Sequence, residues 1–411
     1  MKRIIKVAAL AAALAMAAGG LAGCSTGAGE QTPFCAIGAQ GARPSGDGHA
    51  IVVVSDVAGA PTWSLTDKIT AALSGVLETG GRVDLVSTAG DGYLCAAEDW
   101  GQAVAKEDAN PRKRDQVLQV NLLQITSQLA RAPRDNGSDA YAALHMAADQ
   151  FTSVGSSHKL LILLASGLND HGDLDYTTGL LGSEPREVVS SLKHLGALPD
   201  LGGVTVIVAG LGWTAPDQKP LNDRLRSNVE KTYATVLSAS GAEVTVDPAP
   251  QSGAGIDTLG RTVKPTPVPS RPSVLPQPET CKPVEQVFDQ TSALQFVGDK
   301  ASFVDADAAR DALAPITDWL AEDRARRQVS IVGTTARATS KANQKKLSLA
   351  RARAARSLLV SLGVTAAQIT KVSGAGSWFD GYVDDQDHAG GLLPGPAARN
   401  RSVRLNLTQT C

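Results

Sequence analysis

Near-continuous runs of β-branched and leucine residues recur at positions 50–55, 82–87, 160–164 and 204–209. Side chains alternate faces along a strand, so a run with little polar alternation predicts a strand buried on both faces, as in a parallel sheet between helical layers. Helical stretches fill the intervals at 116–129, 139–151, 186–194 and 222–238. Strands alternating with helices predict an α/β domain with a doubly wound, mostly parallel sheet over residues 48–248. A second cycle follows: a strand region near 293–303, a helix at 307–323, a strand at 328–333, a long helix at 340–362, and strands near 369–373 and 403–407. That order, β-α-β-α-β-β, predicts a smaller α/β sandwich over residues 285–411, with its helices on one face. No internal repeat is visible.

The segments outside these cycles have a different composition. Residues 249–284 carry Pro265, Pro267, Pro269, Pro272, Pro276, Pro278 and Pro283 among Ser, Thr and Val. Such a stretch favours extended polyproline geometry and is expected to be a stiff linker, whose 36 residues at about 3.1 Å each reach on the order of 100 Å and separate the domains. Residues 24–47, rich in Gly, Ser, Thr and Ala, are expected to be a flexible tether.

Ahead of the tether, Lys2, Arg3 and Lys6 precede an apolar run from Val7 to Ala18 and then Leu21-Ala22-Gly23-Cys24. The run is too short to span a bilayer and has the layout of a secretory signal over residues 1–23. The tetrapeptide resembles the lipobox of bacterial lipoproteins, which implies diacylglycerol on the Cys24 thiol, cleavage just before it, and a chain held on a membrane at the extracytoplasmic face. Loss of that leader takes the formal charge from −2 to −5, which points away from nucleic acid. Cys35, Cys95, Cys281 and Cys411 are then left in an oxidising compartment, an even number. The expected pairs are Cys35–Cys95 and Cys281–Cys411, each within one domain and its flanking segment.

The first domain resembles the von Willebrand factor A family at three loops. Members with a metal-ion-dependent adhesion site follow the first strand with Asp-x-Ser-x-Ser; here Asp56-Val57-Ala58-Gly59-Ala60 lacks both hydroxyls. The second loop, Gly137-Ser138-Asp139-Ala140-Tyr141-Ala142-Ala143-Leu144, keeps a hydroxyl in Ser138, and the third, Leu163-Leu164-Ala165-Ser166-Gly167, has serine where the family has aspartate. A hard cation wants several oxygen ligands, usually with carboxylate among them, so Asp56, Ser138 and Ser166 are expected to form a degenerate site without an ion. Asn169, Asp170 and Asp173 beyond them are expected to lie in a solvated acidic loop. Ligands of open α/β sheets bind beyond the carboxyl ends of the strands. Residues 56–62, 136–139 and 166–171 are therefore the expected contact surface for a protein partner in the envelope.

The second domain resembles the OmpA-like carboxyl-terminal family, which binds the diaminopimelate peptide of peptidoglycan. The resemblance rests on Gly333-Thr334-Thr335-Ala336, on Gln344-Lys345-Lys346-Leu347-Ser348-Leu349-Ala350-Arg351-Ala352, and on Gly363-Val364, Ile369, Gly374-x-Gly376 and Asn400-Arg401-x-Val403. The family has aspartate where this chain has Ala336, and an arginine at Arg351; the two clamp the ligand's charged groups. Arg351 falls on the apolar stripe of its helix and needs a partner, because an unpaired buried charge is costly. Either a ligand carboxylate or an internal acid satisfies it. Gln344 and Asn343 on the same helix are further candidates for the wall site. Loss of the aspartate is expected to weaken wall binding by roughly tenfold to a hundredfold, unless Asp380, Asp384, Asp385 or Asp387 replaces it.

The six histidines show no paired metal spacing, and neither a Gly-x-Ser-x-Gly elbow nor a phosphate-binding glycine loop occurs. No cofactor is expected. The reading is a non-enzymatic envelope lipoprotein that links membrane, protein partners and peptidoglycan, with altered wall binding. The alternatives are a full wall anchor using Arg351, a scaffold with both sites lost, and a hydrolase built on Ser138 or Ser166 with His171 as base.

Overall fold

The computed structural model describes residues 34–35, 44–106, 108–251, 253–268 and 282–410. In chain order the first part contains β1 (Gly48–Val54), α1 (Asp67–Glu78), β2 (Arg82–Ser87), β3 (Tyr93–Cys95), α2 (Ala97–Trp100), α3 (Pro111–Gln128), α4 (Ala140–Val154), β4 (His158–Leu164), α5 (Pro185–Leu195), β5 (Val204–Ala209), α6 (Asp223–Ala239) and β6 (Glu243–Asp247). The strands form one sheet in the order β3-β2-β1-β4-β5-β6. All neighbours are parallel except the short β2–β3 pair.

Burial on both faces explains the unbroken apolar strands. In β1, Ala50, Val52 and Val54 enter a core with Ile69 and Leu73 of α1 and Ile125 of α3. Ile51 and Val53 face the opposite core with Leu144 of α4, Leu192 of α5 and Val229 of α6. The helices start where the chain supplies a side-chain acceptor for orphan amides. Thr66 caps α1, Asn110 caps α3 ahead of Pro111, Asp139 caps α4 and Asn222 caps α6.

The second part contains β7 (Val284–Phe288), α7 (Ala306–Glu322), β8 (Arg327–Thr334), α8 (Lys341–Ser361), β9 (Ile369–Gly376), α9 (Pro394–Asn400) and β10 (Val403–Gln409). Its sheet runs β7-β10-β8-β9, with β10 antiparallel to both neighbours and β8 parallel to β9. A single core joins this sheet to α7 and α8. The strand expected near 293–303 is corrected: that stretch is a loop closed by one bridge, Phe296 to Phe303, and the strand lies earlier, at β7. There Glu285 and Val287 are exposed while Gln286 and Phe288 are buried, so an edge strand with polar residues at two of its five positions sat unread at the end of the linker sequence.

The stiff separating linker is also corrected. Residues 253–268 lie back on the first sheet's carboxyl edge, where Ile256 is buried and Pro61 bridges Gly255. The two parts then meet directly. Nη1 of Arg224 on α6 donates to Gln295 Oε1 at 2.9 Å, and its Nη2 to the Thr291 carbonyl. Gly395 of α9 comes so close to Thr178 that a Cβ there would lie 2.6 Å from its Oγ1.

Cys35 and Cys95 form a disulfide with a Cα–Cα distance of 5.8 Å, as expected. Cys24, Cys281 and Cys411, and with them the lipidation and the second pairing, lie outside the described residues. Among the described residues no helix is long and apolar enough to cross a membrane.

Candidate functional site

Helix α8 carries the expected wall-binding residues. Ser340 caps it by accepting from the Asn343 amide, and its buried row is Gln344, Ser348, Arg351, Ala352, Ala355 and Leu359. Asn343 itself is exposed, as are Lys346, Arg353 and Arg356. The helix lies almost directly on the sheet backbone: a Cβ at Gly333 would sit 2.0 Å from the Ser348 carbonyl oxygen, and one at Gly374 2.4 Å from the Leu349 nitrogen. Ser348 Oγ accepts from the Gly376 amide at 3.0 Å, and Ser377 Oγ donates to Gln344 Oε1 at 2.8 Å. Gln344 and Ser348 thus fasten α8 to the end of β9.

Arg351, one turn further along, is 2% exposed. Its Nε donates to the Lys300 carbonyl at 3.0 Å, and the guanidinium stands 5.3 Å from the Phe296 ring centroid. Among the described residues it makes no other hydrogen bond, so both Nη groups lack an acceptor. Burial pushes its pKa down to about 10, helped by the nearby Arg401 and opposed by Asp299, Glu184 and Glu187. Arg401 reaches across to the first part of the chain and takes Glu187 of α5 in a bidentate pair, 2.7 and 2.6 Å.

Ala336 is buried, and the next amide, Arg337 N, donates to Asp385 Oδ2 at 3.0 Å. Asp385 is fully buried and also accepts from Asn400 Nδ2 at 2.9 Å and from the Tyr382 hydroxyl. It organises the loop over residues 378–394 with every one of these bonds internal. Asp380 and Asp384 are exposed. Asp387 accepts from the amides of Ala389 and Gly391. Asp385 and Asp387 are thus committed to internal bonds rather than free to replace the missing aspartate.

At the carboxyl edge of the first sheet, Asp56 is fully buried. Its Oδ1 accepts from Ser87 Oγ at 2.7 Å, and its Oδ2 has no partner. Burial pushes this carboxyl up to about 7, against the pull of the Ser87 hydroxyl. Thr88 beside Ser87 approaches Ser138 Oγ at 3.5 Å, while Ser166 Oγ accepts from the Leu168 amide. Asp56, Ser138 and Ser166 offer one carboxyl and two hydroxyls, fewer charged oxygen ligands than a hard divalent cation usually takes. The space beneath, lined by Val57, Gly59, Ser166, Gln218, Val263 and Pro265 among others, is about 20 Å³, roughly one water.

Two expectations about this edge are corrected. The loop over 169–173 is not simply solvated: Asn169 is fully buried and accepts from the Ala140 amide at 2.9 Å, and of the three residues named for it only Asp173 is exposed. Burial opposes the charge of Asp170, yet the amides of Lys264 and Ser138 and the ring of His171 outweigh it and hold the carboxyl below its ordinary value. Second, part of the surface assigned to a partner is occupied by the chain itself. Thr62 N donates to the Ala254 carbonyl at 3.0 Å, Gly137 N to the Thr262 carbonyl at 2.9 Å, and Lys264 N to Asp170 Oδ2 at 2.7 Å.

The hydrolase alternative gains no geometry. Nδ1 of His171 meets Asp170 at 2.7 Å and Nε2 faces Asp91 at 3.5 Å, so both ring nitrogens are turned to carboxylates rather than to Ser138 or Ser166.

Residues 295–389 match the OmpA family. The matched stretch holds α7, α8 and β9 with Arg351, and ends before Asn400 and Arg401. No curated protein sequence matches the chain. Among solved structures, the periplasmic domain of Helicobacter pylori MotB is 15% identical over 34% of this chain and 90% of its own, with a TM-score of 0.26. The OmpA-like domain of FopA1 from Francisella tularensis subsp. tularensis SCHU S4 is 20% identical over 31% and 73%, TM-score 0.23. The peptidoglycan-associated lipoprotein of Burkholderia pseudomallei is 25% identical over 28% and 86%, TM-score 0.22.

Within the OmpA-like unit, the sequence picked out Arg351 and the residues that seat α8, but gave Arg401 no role. Its signal was its place in Asn400-Arg401-x-Val403, which carried part of the resemblance. The acids that face it, Glu184 and Glu187, lie 214 or more residues away in sequence and had no signal at all.

Proposed function

We propose that this chain is a non-enzymatic cell-envelope lipoprotein, anchored through Cys24, whose OmpA-like unit meets carboxylates of the peptidoglycan peptide through Arg351. The first part is read as a degenerate relative of the von Willebrand factor A family that serves protein contacts rather than metal-dependent adhesion. The observation that carries the wall reading is the buried Arg351 guanidinium, with two Nη groups lacking acceptors, inside the stretch matched to the OmpA family. A ligand carboxylate is the natural acceptor, since planar two-point recognition suits arginine.

Co-sedimentation of the purified full chain with diaminopimelate-type peptidoglycan tests it. Wild type is expected to sediment weakly, and Arg351→Ala to lose roughly tenfold or more in affinity, the equivalent of one charge-assisted hydrogen bond of about 1.5–3 kcal/mol. Ala336→Asp is expected to strengthen binding by a similar factor. Sedimentation unaffected by Arg351→Ala sinks the wall reading. If only Ala336→Asp binds, the native site is a relic and the chain is a scaffold.

A further inference from the structure

The geometry points to an internal competitor for the wall site: Glu184 and Glu187, at the start of α5, occupy the carboxylate-binding surface formed by Arg351 and Arg401, and their release opens it. This rests on the wall-binding reading and adds what controls access to the site.

Four observations carry it. Arg351 is 2% exposed, packed under the hairpin of Phe296 and Lys300 and within electrostatic reach of Glu184 and Glu187 from the first part of the chain. The Arg401 fork is filled by Glu187 in the two-point manner a ligand carboxylate would use, with side-chain exposures of 10% and 27%. The Glu184 carboxylate lies against the hairpin that also holds Arg351, for a Cβ at Gly298 would be 2.6 Å from Glu184 Oε1 while Lys300 supplies the carbonyl to Arg351. Finally, Glu184 is half-buried yet its carboxylate makes no hydrogen bond among the described residues, and burial raises its pKa with Glu187 adding to the rise. A carboxylate held near an arginine without bonding it is a displaceable one, because the unmet donors of Arg351 and the unmet acceptors of Glu184 both favour exchange for a ligand that bonds.

The rest of the contact joins close packing of α9 against residues 178–182 to a set of polar anchors, while the two hydrophobic cores stay separate. Its polar anchors are Arg224 on the carbonyls of Gln290 and Thr291, Arg224 on Gln295, and His194 facing Asp387 at 3.5 Å. Contacts of this polar kind resemble transient interfaces rather than a shared core. A carboxylate-rich wall peptide would compete with Glu184 and Glu187 for the same two arginines.

The test uses the full chain, wild type and Glu184→Gln/Glu187→Gln, each with and without Arg351→Ala, in the same peptidoglycan sedimentation at fixed salt. Hydrogen exchange of α5 and α9 is followed in parallel. The double glutamine variant is expected to bind at least tenfold tighter than wild type, to lose that gain with Arg351→Ala, and to exchange faster in both helices. Wild type and the double variant binding equally, with Arg351→Ala weakening both, overturns the competitor and leaves the wall reading standing. No binding by any variant removes the wall reading; unchanged exchange then overturns the contact as a latch, and faster exchange upholds the latch without a wall ligand.

Discussion

Asp56→Asn isolates the chemistry at the carboxyl edge of the first sheet. The Asp56 carboxyl is raised from 3.8 to about 7, chiefly by burial. The unfolded chain therefore releases this proton first, and between those values the folded state binds more protons. The stabilisation linked to the bound proton is fully present below pH about 4 and is lost as pH rises through about 7. A rise of roughly three pH units corresponds to about 4 kcal/mol across that window. Asparagine never ionises, so the variant should not show that loss. It keeps an oxygen for Ser87 but places amide hydrogens where Oδ2 has no partner, which costs about 1–3 kcal/mol at every pH. The two stability profiles should therefore cross: Asp56→Asn is less stable near pH 4 and more stable by about 1–3 kcal/mol near pH 8. Other carboxyls raised by burial, Asp139 and Glu230 among them, shift both profiles alike and cancel in the difference. Urea midpoints from pH 4 to pH 8 in the presence of a chelator measure it. Parallel profiles would show that the Asp56 carboxyl is not raised in the fold, which would refute the reasoning.

Three further outcomes follow from the same structure. The Cys35–Cys95 bond closes a separation of 60 residues, so reduction or Cys35→Ser/Cys95→Ser should lower unfolding free energy by about 4 kcal/mol by chain entropy, read from denaturant midpoints; a non-reduced peptide map should recover this pair together with Cys281–Cys411. Gly333→Ala drives a methyl into the Ser348 carbonyl and should cost about 1–3 kcal/mol, with helicity of α8 reduced in circular dichroism; an unchanged melting curve would contradict the close helix–sheet approach. Lys264→Pro deletes the amide that bonds the Asp170 carboxylate and should loosen residues 253–268, so that trypsin cuts after Arg261 several times faster than in wild type; an unchanged rate would place the hold elsewhere.

The sequence was most legible where burial alone dictates the pattern. The inner strands β1, β4 and β5 lie between two cores, and their apolar runs announced them. The outer strands β3 and β6 were missed because a rim strand is exposed along one edge and keeps polar or half-buried positions, as Glu243 and Thr245 show. Helix α1 escaped because its buried anchors are only Ile69 and Leu73, although Thr66 ahead of Asp67 was a readable cap. On α8 the stripe holding Arg351 could be read from spacing, whereas the interval between the helix and the sheet could not, since it is set by Gly333 and Gly374 on strands distant in the chain.

The covering segments were illegible for a different reason. Residues 253–268 bind the first sheet's edge mainly through backbone groups: Ala254 and Thr262 through carbonyls, Lys264 through its amide. Backbone donors and acceptors are the same at every residue, so proline-rich composition, which predicts extension, says nothing about what the extended chain lies against. The Glu187–Arg401 pair poses the same problem with charged groups, because either residue alone reads as ordinary surface charge. At the sheet edge the chain sets its own groups on a surface that the sequence had assigned to a partner, and at Arg401 it does so beside the expected wall residue Arg351. A partner must then displace them, so affinity measured on this protein reports the difference between two sets of contacts. Loosening the internal set should raise affinity without changing a single residue that touches the ligand.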